Sequence, residues 1–390
     1  MSDLHRVGLV VHYGDANYGN QLVNLAARRV LEQCGCAVDV IAFVGGDAEL
    51  RRASLRRLPA KVARLVKDGT LGPRLRGQIR RRLSGPEAVD EEVANLRRAR
   101  REKFAQFATT TLHPRFVDVA ERFALASEYD EFVVGSDQIW NFDYRLGPWL
   151  FLDFAEPSRR SCLAPSIGHQ ELPEEWVGFY RNWLSGFHEI SVRESHWVGE
   201  FGRLFPGLTV SALIDPTLVL SQEDWAGVAR TPAPRPRYVL VYELGELSRS
   251  HWDFVETVAA ANGLEVVHLS ERSVSPVWNS DPADLLGLIQ SAALVVIDSF
   301  HGSVFSFLFD RPVVIVRREG FAASMNGQID TLVERLVLGD RVFPHLAPDE
   351  VLHHDYASGR ARLTEYQSQF WAYLSRQGLP TPSSESEVAS

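Results

Sequence analysis

The residues best suited to chemistry follow an apolar run: residues 294–303 pass directly from LVVI into the polar sequence DSFHGS. In an open α/β sheet, ligands bind at such a point, where a strand ends and the next helix begins. We expect Ser299 to cap that helix. The N–H groups near His301, Gly302 and Ser303 can then hold an anion, which Gly302 lets approach the backbone. His301 would lie beside this phosphate or carboxylate, where an imidazole can act as an acid and a base.

A second candidate for anion binding is Arg193, which follows a predicted strand at residues 188–192. Its planar guanidinium suits a carboxylate or a phosphate. A salt bridge with Glu194 or another acid would explain the residue equally well. We expect Arg193 and His301 to lie at two strand ends of one sheet, an arrangement that favours a shared anion site.

The turn at residues 135–141 has the composition of a sugar site. It brings together an acid, two amides and an indole, in Asp137, Gln138, Asn141 and Trp140. Sugar hydroxyls take bidentate polar partners, and the apolar face of a sugar stacks on aromatic rings. The alternative is an Asx-turn above a core tryptophan.

The loop at residues 14–20 opens the first predicted helix with polar side chains, and Asp15, Asn17 and Asn20 are further candidates for binding an acceptor. The loop is neither a GxGxxG nor a Walker A sequence. The chain also contains no HExxH, GxSxG or DxD sequence, which disfavours metallohydrolases, serine hydrolases and metal-dependent sugar transferases. We therefore predict a site without a metal.

The elements that position these turns alternate along the chain. Apolar runs predict strands at 7–12, 38–44, 131–135, 161–167, 188–192, 238–242, 264–268, 294–298 and 312–316. Helical spacing predicts helices at 49–68, 74–84, 87–108, 176–187, 249–262, 283–292, 301–309, 328–338 and 357–376. Near-continuous apolar strands that alternate with helices are typical of parallel sheets. The sequence therefore predicts the α/β class, with two doubly wound, Rossmann-like domains.

The predicted domains divide the chain near its middle. We predict an N-terminal α/β domain at residues 1–187 on the acceptor side and a C-terminal α/β domain at residues 188–345 on the donor side. The second domain begins with the strand at residues 188–192, where a new βα series starts. A C-terminal helix within residues 346–378 and a disordered tail at residues 379–390 complete the chain.

A basic helical insertion at about residues 48–109 interrupts the first domain. The chain carries a formal net charge of -9, yet residues 51–103 hold 17 lysines and arginines against 6 acidic residues. These helices either cover the sheet with a solvated face, or dock an anionic acceptor or the inner membrane surface. Nucleic acid is disfavoured, because the rest of the chain is acidic and no binding motif is present. With three scattered cysteines and neither a signal peptide nor a membrane span, we predict a cytoplasmic protein, with or without peripheral membrane contact.

Six short segments, in this order, resemble the polysaccharide pyruvyl transferase family over roughly residues 7–343. They are NYGNQL at 17–22, GSDQIWN at 135–141, SVRE at 191–194, DPT at 215–217, DSFHGS at 298–303, and NGQI at 326–329 with Leu338 and Arg341. The resemblance implies a fold like that of the two-domain GT-B glycosyltransferases, with a metal-free site in the cleft between the domains. It also implies phosphoenolpyruvate as the donor substrate, no cofactor, and Arg193 and His301 as donor-site residues. Ser299 and Phe300 stand where better-understood members often carry a basic residue, so part of the donor's charge must be held otherwise.

The reaction that follows is the transfer of a pyruvyl group from phosphoenolpyruvate to two hydroxyls of a saccharide, a lipid-linked sugar or a small metabolite, which forms a ketal. His301 would protonate the enol carbon and later act as a base, and Arg193 would hold the donor's anionic groups. Asp137 would bind or deprotonate the acceptor diol. Two alternatives stay open: a GT-B glycosyltransferase that uses a nucleotide sugar, and a non-catalytic family member that acts as a binding subunit.

Overall fold

The computed structural model describes residues 4–14, 16–67, 91–144, 146–233, 235–270, 276–318, 326–348 and 350–381. Its strands are β1 (Arg6–Val11), β2 (Ala37–Val44), β3 (Arg115–Asp118), β4 (Glu131–Val134), β5 (Arg160–Cys162), β6 (Glu189–Val192), β7 (Thr209–Ala212), β8 (Tyr238–Tyr242), β9 (Glu265–Leu269), β10 (Leu294–Ile297) and β11 (Val313–Ile315). Its α-helices are α1 (Tyr18–Gln33), α2 (Asp47–Lys67), α3 (Glu91–Phe107), α4 (Glu174–Leu184), α5 (His196–Leu204), α6 (Gln222–Ala226), α7 (Arg249–Asn262), α8 (Pro282–Ser291), α9 (Phe300–Leu308), α10 (Asn326–Arg335) and α11 (Ala357–Arg376).

The first sheet has the strand order β3-β2-β1-β4-β5, and every neighbouring pair is parallel. Its central strand, β1, is buried from Val7 to Val11, as expected for an inner strand of a parallel sheet. Val7 lies opposite Val38 on one side and opposite Glu131 on the other. The chain reverses its direction of winding between β1 and β4, and open α/β sheets bind ligands at such a reversal.

The second sheet has the order β11-β10-β8-β9 and is also parallel throughout. Every residue of β8 and β10 is buried, and the winding reverses between these two strands. The predicted α/β class, with two parallel, Rossmann-like sheets, is confirmed by this topology. Each sheet therefore offers one crevice at the carboxyl ends of its strands where a ligand can bind.

Strands β6 and β7 form a separate two-stranded parallel sheet, so the prediction that the strand at 188–192 opens the second sheet is wrong. Ser191 Oγ donates to the carbonyl oxygen of Cys162 at 2.8 Å and accepts the N–H of Ala164 at 2.9 Å. The buried apolar residues of β6 also share the core of the first sheet. The pair lies beside β5 because its apolar face completes that core. Arg193 and His301 therefore do not follow strands of one sheet.

Most other elements lie close to their predicted positions. The helix predicted at 357–376 is α11, with the same limits. The helices predicted at 49–68 and 87–108 correspond to α2 and α3. The helix predicted at 74–84 lies outside the described residues. The domain limits themselves stay predictions.

Two predicted limits are wrong, and each error has a local cause. The strand predicted at 161–167 ends at Cys162, because Ala164 takes a left-handed φ of 47° that turns the chain away from the sheet. The tail predicted to be disordered from residue 379 begins with an ordered residue. Leu379 is buried and donates its N–H to the carbonyl oxygen of Leu374 at 3.1 Å.

Helix α2 presents an apolar stripe to solvent. Leu55, Leu58, Val62 and Val66 are all exposed, at 68%, 50%, 39% and 59% respectively. Their spacing of three, four and four residues places them on one face of the helix. Within the described ranges, no helix is long and apolar enough to cross a membrane.

Candidate active site

The carboxyl ends of the two sheets face each other across a cleft, and Gly19 lets them approach closely. A Cβ built on Gly19, in the first turn of α1, would lie 2.1 Å from Nδ1 of His301, in the first turn of α9. A residue with a side chain cannot fit there without displacing the imidazole. The neighbouring Tyr18 donates its hydroxyl to the carbonyl oxygen of Ser280 at 2.9 Å. The first helix of the N-terminal sheet thus packs directly on the second half of the chain.

Asp215 joins Arg193 to His301 at this cleft. Arg193 Nη1 donates to Asp215 Oδ2 at 2.7 Å, and His301 Nε2 lies 3.5 Å from the same oxygen. Asp215 is 1% exposed, and Thr217 donates to its Oδ1 through the backbone N–H at 2.9 Å and the hydroxyl at 2.6 Å. Burial raises the pKa of Asp215, but the nearby imidazole of His301 and the charge of Arg193 outweigh burial and hold this pKa well below its usual range. Asp215 is therefore an ionised anchor between the two side chains.

The guanidinium of Arg193 is almost completely covered. Its side chain is 3% exposed and lies over the ring of Phe300, 4.6 Å from the centroid. Burial acts to lower the pKa of Arg193, but the charges of nearby carboxylates, above all Asp215, outweigh burial and raise it. Among the described residues, Nε and Nη2 of Arg193 and Nε2 of His301 have no hydrogen-bond partner. Buried donors without partners are rare, and three in one cluster indicate a place for an anionic ligand.

Asp137 enters the same cluster from the end of β4, in a left-handed conformation with φ of 60°. Its Oδ1 lies 3.9 Å from Arg193 Nη2, and its Oδ2 accepts a hydrogen bond from Asn20 Nδ2 at 2.9 Å. Asn20 also accepts the N–H of Gly14 at 2.8 Å and donates to the carbonyl oxygen of His12 at 2.8 Å. With its side chain 15% exposed, Asp137 is more accessible than Arg193. Asn20 therefore holds Asp137 and the loop after β1 in one network.

The family comparison covers the part of the chain that contains this site. The model of the polysaccharide pyruvyl transferase family matches residues 17–320, a span that includes Asp137, Arg193, Asp215 and His301. The chain belongs to the polysaccharide pyruvyl transferase family. Membership of this family supports a transferase activity in polysaccharide biosynthesis. No curated protein matches the sequence.

Solved structures with a similar course of the chain include sugar-nucleotide enzymes. A putative UDP-N-acetylglucosamine 2-epimerase from Listeria monocytogenes is 10% identical, with 96% of each chain covered and a TM-score of 0.41. Arabidopsis thaliana UGT89C1 complexed with UDP-L-rhamnose is 9% identical, with 99% of this chain and 98% of that chain covered and a TM-score of 0.44. E. coli heptosyltransferase WaaC with ADP is 13% identical, with 94% and 99% covered and a TM-score of 0.37. At these scores the likeness is remote, and the fold class rests on the sheets themselves.

In this pyruvyl transferase family member, the predicted donor contacts of Gly302 and Ser303 are wrong. Ser299 does cap α9, and its Oγ already accepts the N–H of Gly302 at 3.4 Å. Ser303 is 0% exposed and donates both its N–H and its hydroxyl to the carbonyl oxygen of Ser299, at 3.0 and 2.9 Å. Gly302 is required for packing, because a Cβ there would lie 1.9 Å from Ile297 Cδ1. Of the predicted donor residues on α9, only His301 faces the cluster with Arg193.

The predicted contact of Trp140 with an acceptor sugar is also wrong, because Trp140 lies in the core. Its ring is 0% exposed, donates to the carbonyl oxygen of Leu150 at 2.9 Å and stacks on Phe151 at 4.9 Å. Gln138 and Asn141 are buried and bonded to each other at 2.8 Å. Asn141 Oδ1 accepts a backbone N–H two residues further on at 2.8 Å. The segment is therefore an Asx-turn above a core tryptophan.

An exposed aromatic ring lies beside Asp137 instead. Tyr144 is 47% exposed and stacks on His12, with ring centroids 5.4 Å apart. Burial raises the pKa of Tyr144, and the charges of Asp137 and Asp143 raise it further. Tyr144, just after the polar turn, is thus an exposed aromatic ring within electrostatic reach of Asp137.

Of the two remaining residues predicted to bind an acceptor, Asn17 and Asp15, the structure places Asn17 at the cleft. Asn17 is the N-cap of α1, and its Oδ1 accepts the N–H of Asn20 at 3.1 Å. The side chain of Asn17 is exposed on the cleft side of this cap. Asp15 lies outside the described residues.

Sequence reasoning assigned no role to three residues of the site: Asp215, Asp298 and Arg318. Asp298 accepts the N–H groups of Leu244 and Gly245, both at 2.7 Å. Arg318 Nε donates to the carbonyl oxygen of Asp298 at 3.1 Å and lies 3.3 Å from its Oδ2. Asp298 follows β10 directly and Arg318 lies just after β11. Their positions after predicted strands could have indicated them as site residues, because ligands bind at the carboxyl ends of such strands. In the described part of the chain, no group of three or more His, Cys, Asp or Glu side chains could hold a metal ion.

Proposed function

We propose that this family member transfers the pyruvyl group of phosphoenolpyruvate to two hydroxyls of a saccharide, forming a ketal and releasing phosphate. The observation that carries the proposal is the buried cluster of Arg193, Asp215 and His301, whose unpartnered donor nitrogens suit an anion. The family match supports the same class of reaction. Gly19 and Asp137 bring the first sheet to this cluster, so that a donor and an acceptor can meet there.

The proposed reaction begins with proton transfer from His301 to the methylene carbon of phosphoenolpyruvate, which leaves a cationic centre at the neighbouring carbon. One acceptor hydroxyl attacks that centre and gives its proton to Asp137. The bond between this carbon and the phosphate oxygen then breaks, and phosphate leaves with the bonding electrons and the proton from Asp137. The second hydroxyl attacks the same carbon and gives its proton to His301, which restores the imidazolium.

The negative charge of the donor needs positive partners, and two arginines lie near the cluster. Arg193 is covered in this conformation, so its contact with the donor requires Phe300 and the neighbouring imidazole to move apart. Arg318 is held by Asp298 at the carboxyl end of β10. Ser299 and Phe300 stand where better-understood family members often carry a basic residue. We therefore propose that Arg318 supplies the positive charge that binds the donor in its place.

Labelled phosphoenolpyruvate and a panel of saccharides test the proposal directly. We expect label to enter a saccharide in the wild-type protein, and turnover to fall by about 100-fold or more in His301→Gln, because a general acid contributes that much. Donor binding, measured by calorimetry, should change little in the same variant. His354→Gln is the control, since that imidazole pairs with Asp310 away from the site, at 3.1 Å. Transfer from a UDP-sugar and not from phosphoenolpyruvate, or near-normal turnover in His301→Gln, would overturn the proposal.

We also propose that helix α2 holds the protein at an anionic membrane surface, where a lipid-linked acceptor is presented. The exposed apolar stripe from Leu55 to Val66 is the surface that would enter the lipid headgroup region. Arg51 and Arg52 are exposed at the start of this stripe. Each basic residue near an anionic surface contributes about 1 kcal/mol of attraction. A solvated helix that only covers the sheet would not need an apolar face toward water.

A further inference from the structure

Ser166, in the loop after β5, holds the turn that carries Asp137 at two points. Its N–H donates to the carbonyl oxygen of Asp137 at 2.7 Å, and its carbonyl oxygen accepts the N–H of Trp140 at 3.3 Å. The turn needs such support, because Asp137 has a left-handed φ of 60°, which is unfavourable for a residue with a side chain. The position of the Asp137 carboxylate therefore depends on where Ser166 is held.

The hydroxyl of Ser166 is held by two side chains from later parts of the chain. It donates to Oε1 of Glu194, which directly follows Arg193, and accepts a hydrogen bond from Nε2 of Gln328 at 2.9 Å. Gln328 Nε2 also donates to Glu194 Oε1 at 3.3 Å. Ser166 is 0% exposed and Glu194 is 3% exposed, so these bonds lie away from solvent. Gln328, in the first turn of α10, thus connects the second half of the chain to the turn of Asp137.

Stability alone does not explain this buried network. The other carboxylate oxygen of Glu194, Oε2, has no hydrogen-bond partner among the described residues. A buried carboxylate with an unpaired oxygen is costly, and apolar side chains of similar volume are often at least as stable. What the network provides is a fixed orientation, because buried hydrogen-bond networks rigidify the groups that they join.

The same turn of α10 also holds Arg318, which we assigned to the donor. Asn326 Oδ1 accepts the N–H of Arg318 at 3.0 Å, and Asn326 Nδ2 donates to the carbonyl oxygen of Arg318 at 2.9 Å. Gly327 lets this turn lie close to the loop after β5, since a Cβ there would lie 2.1 Å from Gln170 Nε2. Three successive residues, ending with Gln328, therefore connect the donor arginine to the turn assigned to the acceptor.

We infer that Gln328 is a positioning residue, which sets the place of Asp137 in the active site through Ser166. The inference rests on the proposed transfer reaction, because Asp137 is the group proposed to take a proton from the acceptor hydroxyl. Gln328 acts on the acceptor step through another residue rather than on the donor. Its loss should therefore lower turnover and leave the affinity for phosphoenolpyruvate unchanged.

A double-mutant cycle on turnover tests the inference. Gln328→Met keeps the size of the side chain and removes its amide, and we expect turnover to fall by about tenfold, with the Kd for phosphoenolpyruvate unchanged. In an Asp137→Asn background the same substitution should cost less than about twofold, because Gln328 acts through Asp137. Gln377→Met is the matched control, since Gln377 is also half-buried and donates to a glutamate, Glu189 Oε2, at 3.3 Å. The turnover of this control should equal that of the wild type.

Hydrogen exchange provides a second measurement that does not depend on turnover. We expect the amides of residues 135–141 and 166 to exchange about tenfold faster in Gln328→Met than in the wild type, and to be unchanged in Gln377→Met. Equal losses of turnover in the two backgrounds, or unchanged exchange in Gln328→Met, would overturn the inference while the transfer reaction stands. Faster exchange in a protein that transfers nothing from phosphoenolpyruvate would instead overturn the proposed function and leave Gln328 as the residue that holds the turn.

Discussion

At the scale of the residue, Asp215 holds the site together because it touches both Arg193 and His301 with a single oxygen. Thr217 saturates its other oxygen, so the carboxylate has no freedom to rotate away. The phenyl ring of Phe300 closes the remaining side of the guanidinium. The orientation of the imidazole therefore depends on a residue from a different element, which makes Asp215 a positioning residue.

Asp215→Asn keeps the shape of this side chain and removes its charge. Removing one partner of a buried ion pair typically costs about 3–5 kcal/mol, because the other charge stays buried. We expect a loss of that size in the free energy of unfolding, measured by urea denaturation. Glu200→Gln removes an exposed partner of Arg203 at 2.7 Å and should cost less than about 1 kcal/mol. Equal losses in both variants would contradict the anchoring role of Asp215.

The same carboxylate predicts how stability depends on pH. The folded-state pKa of Asp215 lies below its unfolded value of about 3.9. As the pH falls through about 4, the unfolded chain binds a proton before the folded protein does, so stability present above that pH is lost. The difference in unfolding free energy between the wild type and Asp215→Asn should thus shrink as the pH falls below about 4. A difference that grows on acidification would contradict this assignment.

Gly19→Ala tests the close contact between the two halves of the chain. Alanine favours a helix by about 1 kcal/mol over glycine, yet its Cβ would lie 2.1 Å from His301 Nδ1 and must displace the imidazole. We expect turnover to fall by about 100-fold, since a displacement of about 1 Å can cost that much. Gly178→Ala in α4 is the control, because a Cβ there meets nothing within 4 Å. Its turnover should equal that of the wild type; unchanged turnover in both variants would place the chemistry elsewhere.

At the scale of the element, the two described helices of the basic insertion have different surroundings. Helix α3 packs inward: Phe104 is fully buried against Tyr18, with ring centroids 4.9 Å apart, and Arg100 reaches Trp278 in the other half of the chain. Helix α2 is anchored at its start by a salt bridge between Glu49 and Arg122, at 3.2 Å. Beyond that point its apolar stripe faces solvent. In the described part of the insertion, arginines of α3 therefore line a cleft, whereas those at the start of α2 lie on an outer surface.

Sedimentation with lipid vesicles tests the outer surface. We expect the wild-type protein to pellet with anionic vesicles at low salt and to be released partly at high salt, because basic residues attract the surface and salt screens them. Leu58→Glu should remain in the supernatant, since it places a charge in the middle of the apolar stripe. Val266→Glu changes a valine of β9 that is 38% exposed outside this stripe and should pellet normally. Wild-type protein that stays in the supernatant would rule out the membrane contact.

At the scale of the whole molecule, one apolar core runs through both sheets. It includes Val7 and Leu22 from the first half of the chain and Leu240, Val295 and Phe305 from the second. A shared core of this kind resists the relative movement of two domains. Access to Arg193 must therefore come from local movement of side chains rather than from wide opening of the cleft.

Ligand-induced stabilisation is the corresponding prediction. In our proposal phosphoenolpyruvate binds at a junction between the two halves, so it should raise the midpoint of thermal unfolding of the whole chain in one transition. At about 100 times Kd, a ligand that binds only the folded state adds about 2.7 kcal/mol. The shift should be the same in EDTA, because Arg193 and Arg318 supply the positive charge in our proposal. A shift abolished by EDTA, or none at millimolar phosphoenolpyruvate, would contradict the proposed donor site.

The sequence by itself determined the local elements and the family. A strand or a helix end is signalled by residues that are close together in the sequence. These signals can therefore be recognised without knowledge of the fold. The predicted parallel sheets and the limits of α11 agree with the structure for this reason. The strand-end positions of Asp137 and His301 were visible in the same way, because each follows an apolar run directly.

Only the tertiary structure decided which side chains face one another. Arg193 is held by Asp215, 22 residues further along, and Gly19 meets His301 across the chain. Trp140 and Ser303 lie in polar stretches of the sequence but are buried in the core, because the direction of a side chain depends on what packs against its element. Neither spacing nor composition contains that information, since the packing partners come from distant parts of the sequence.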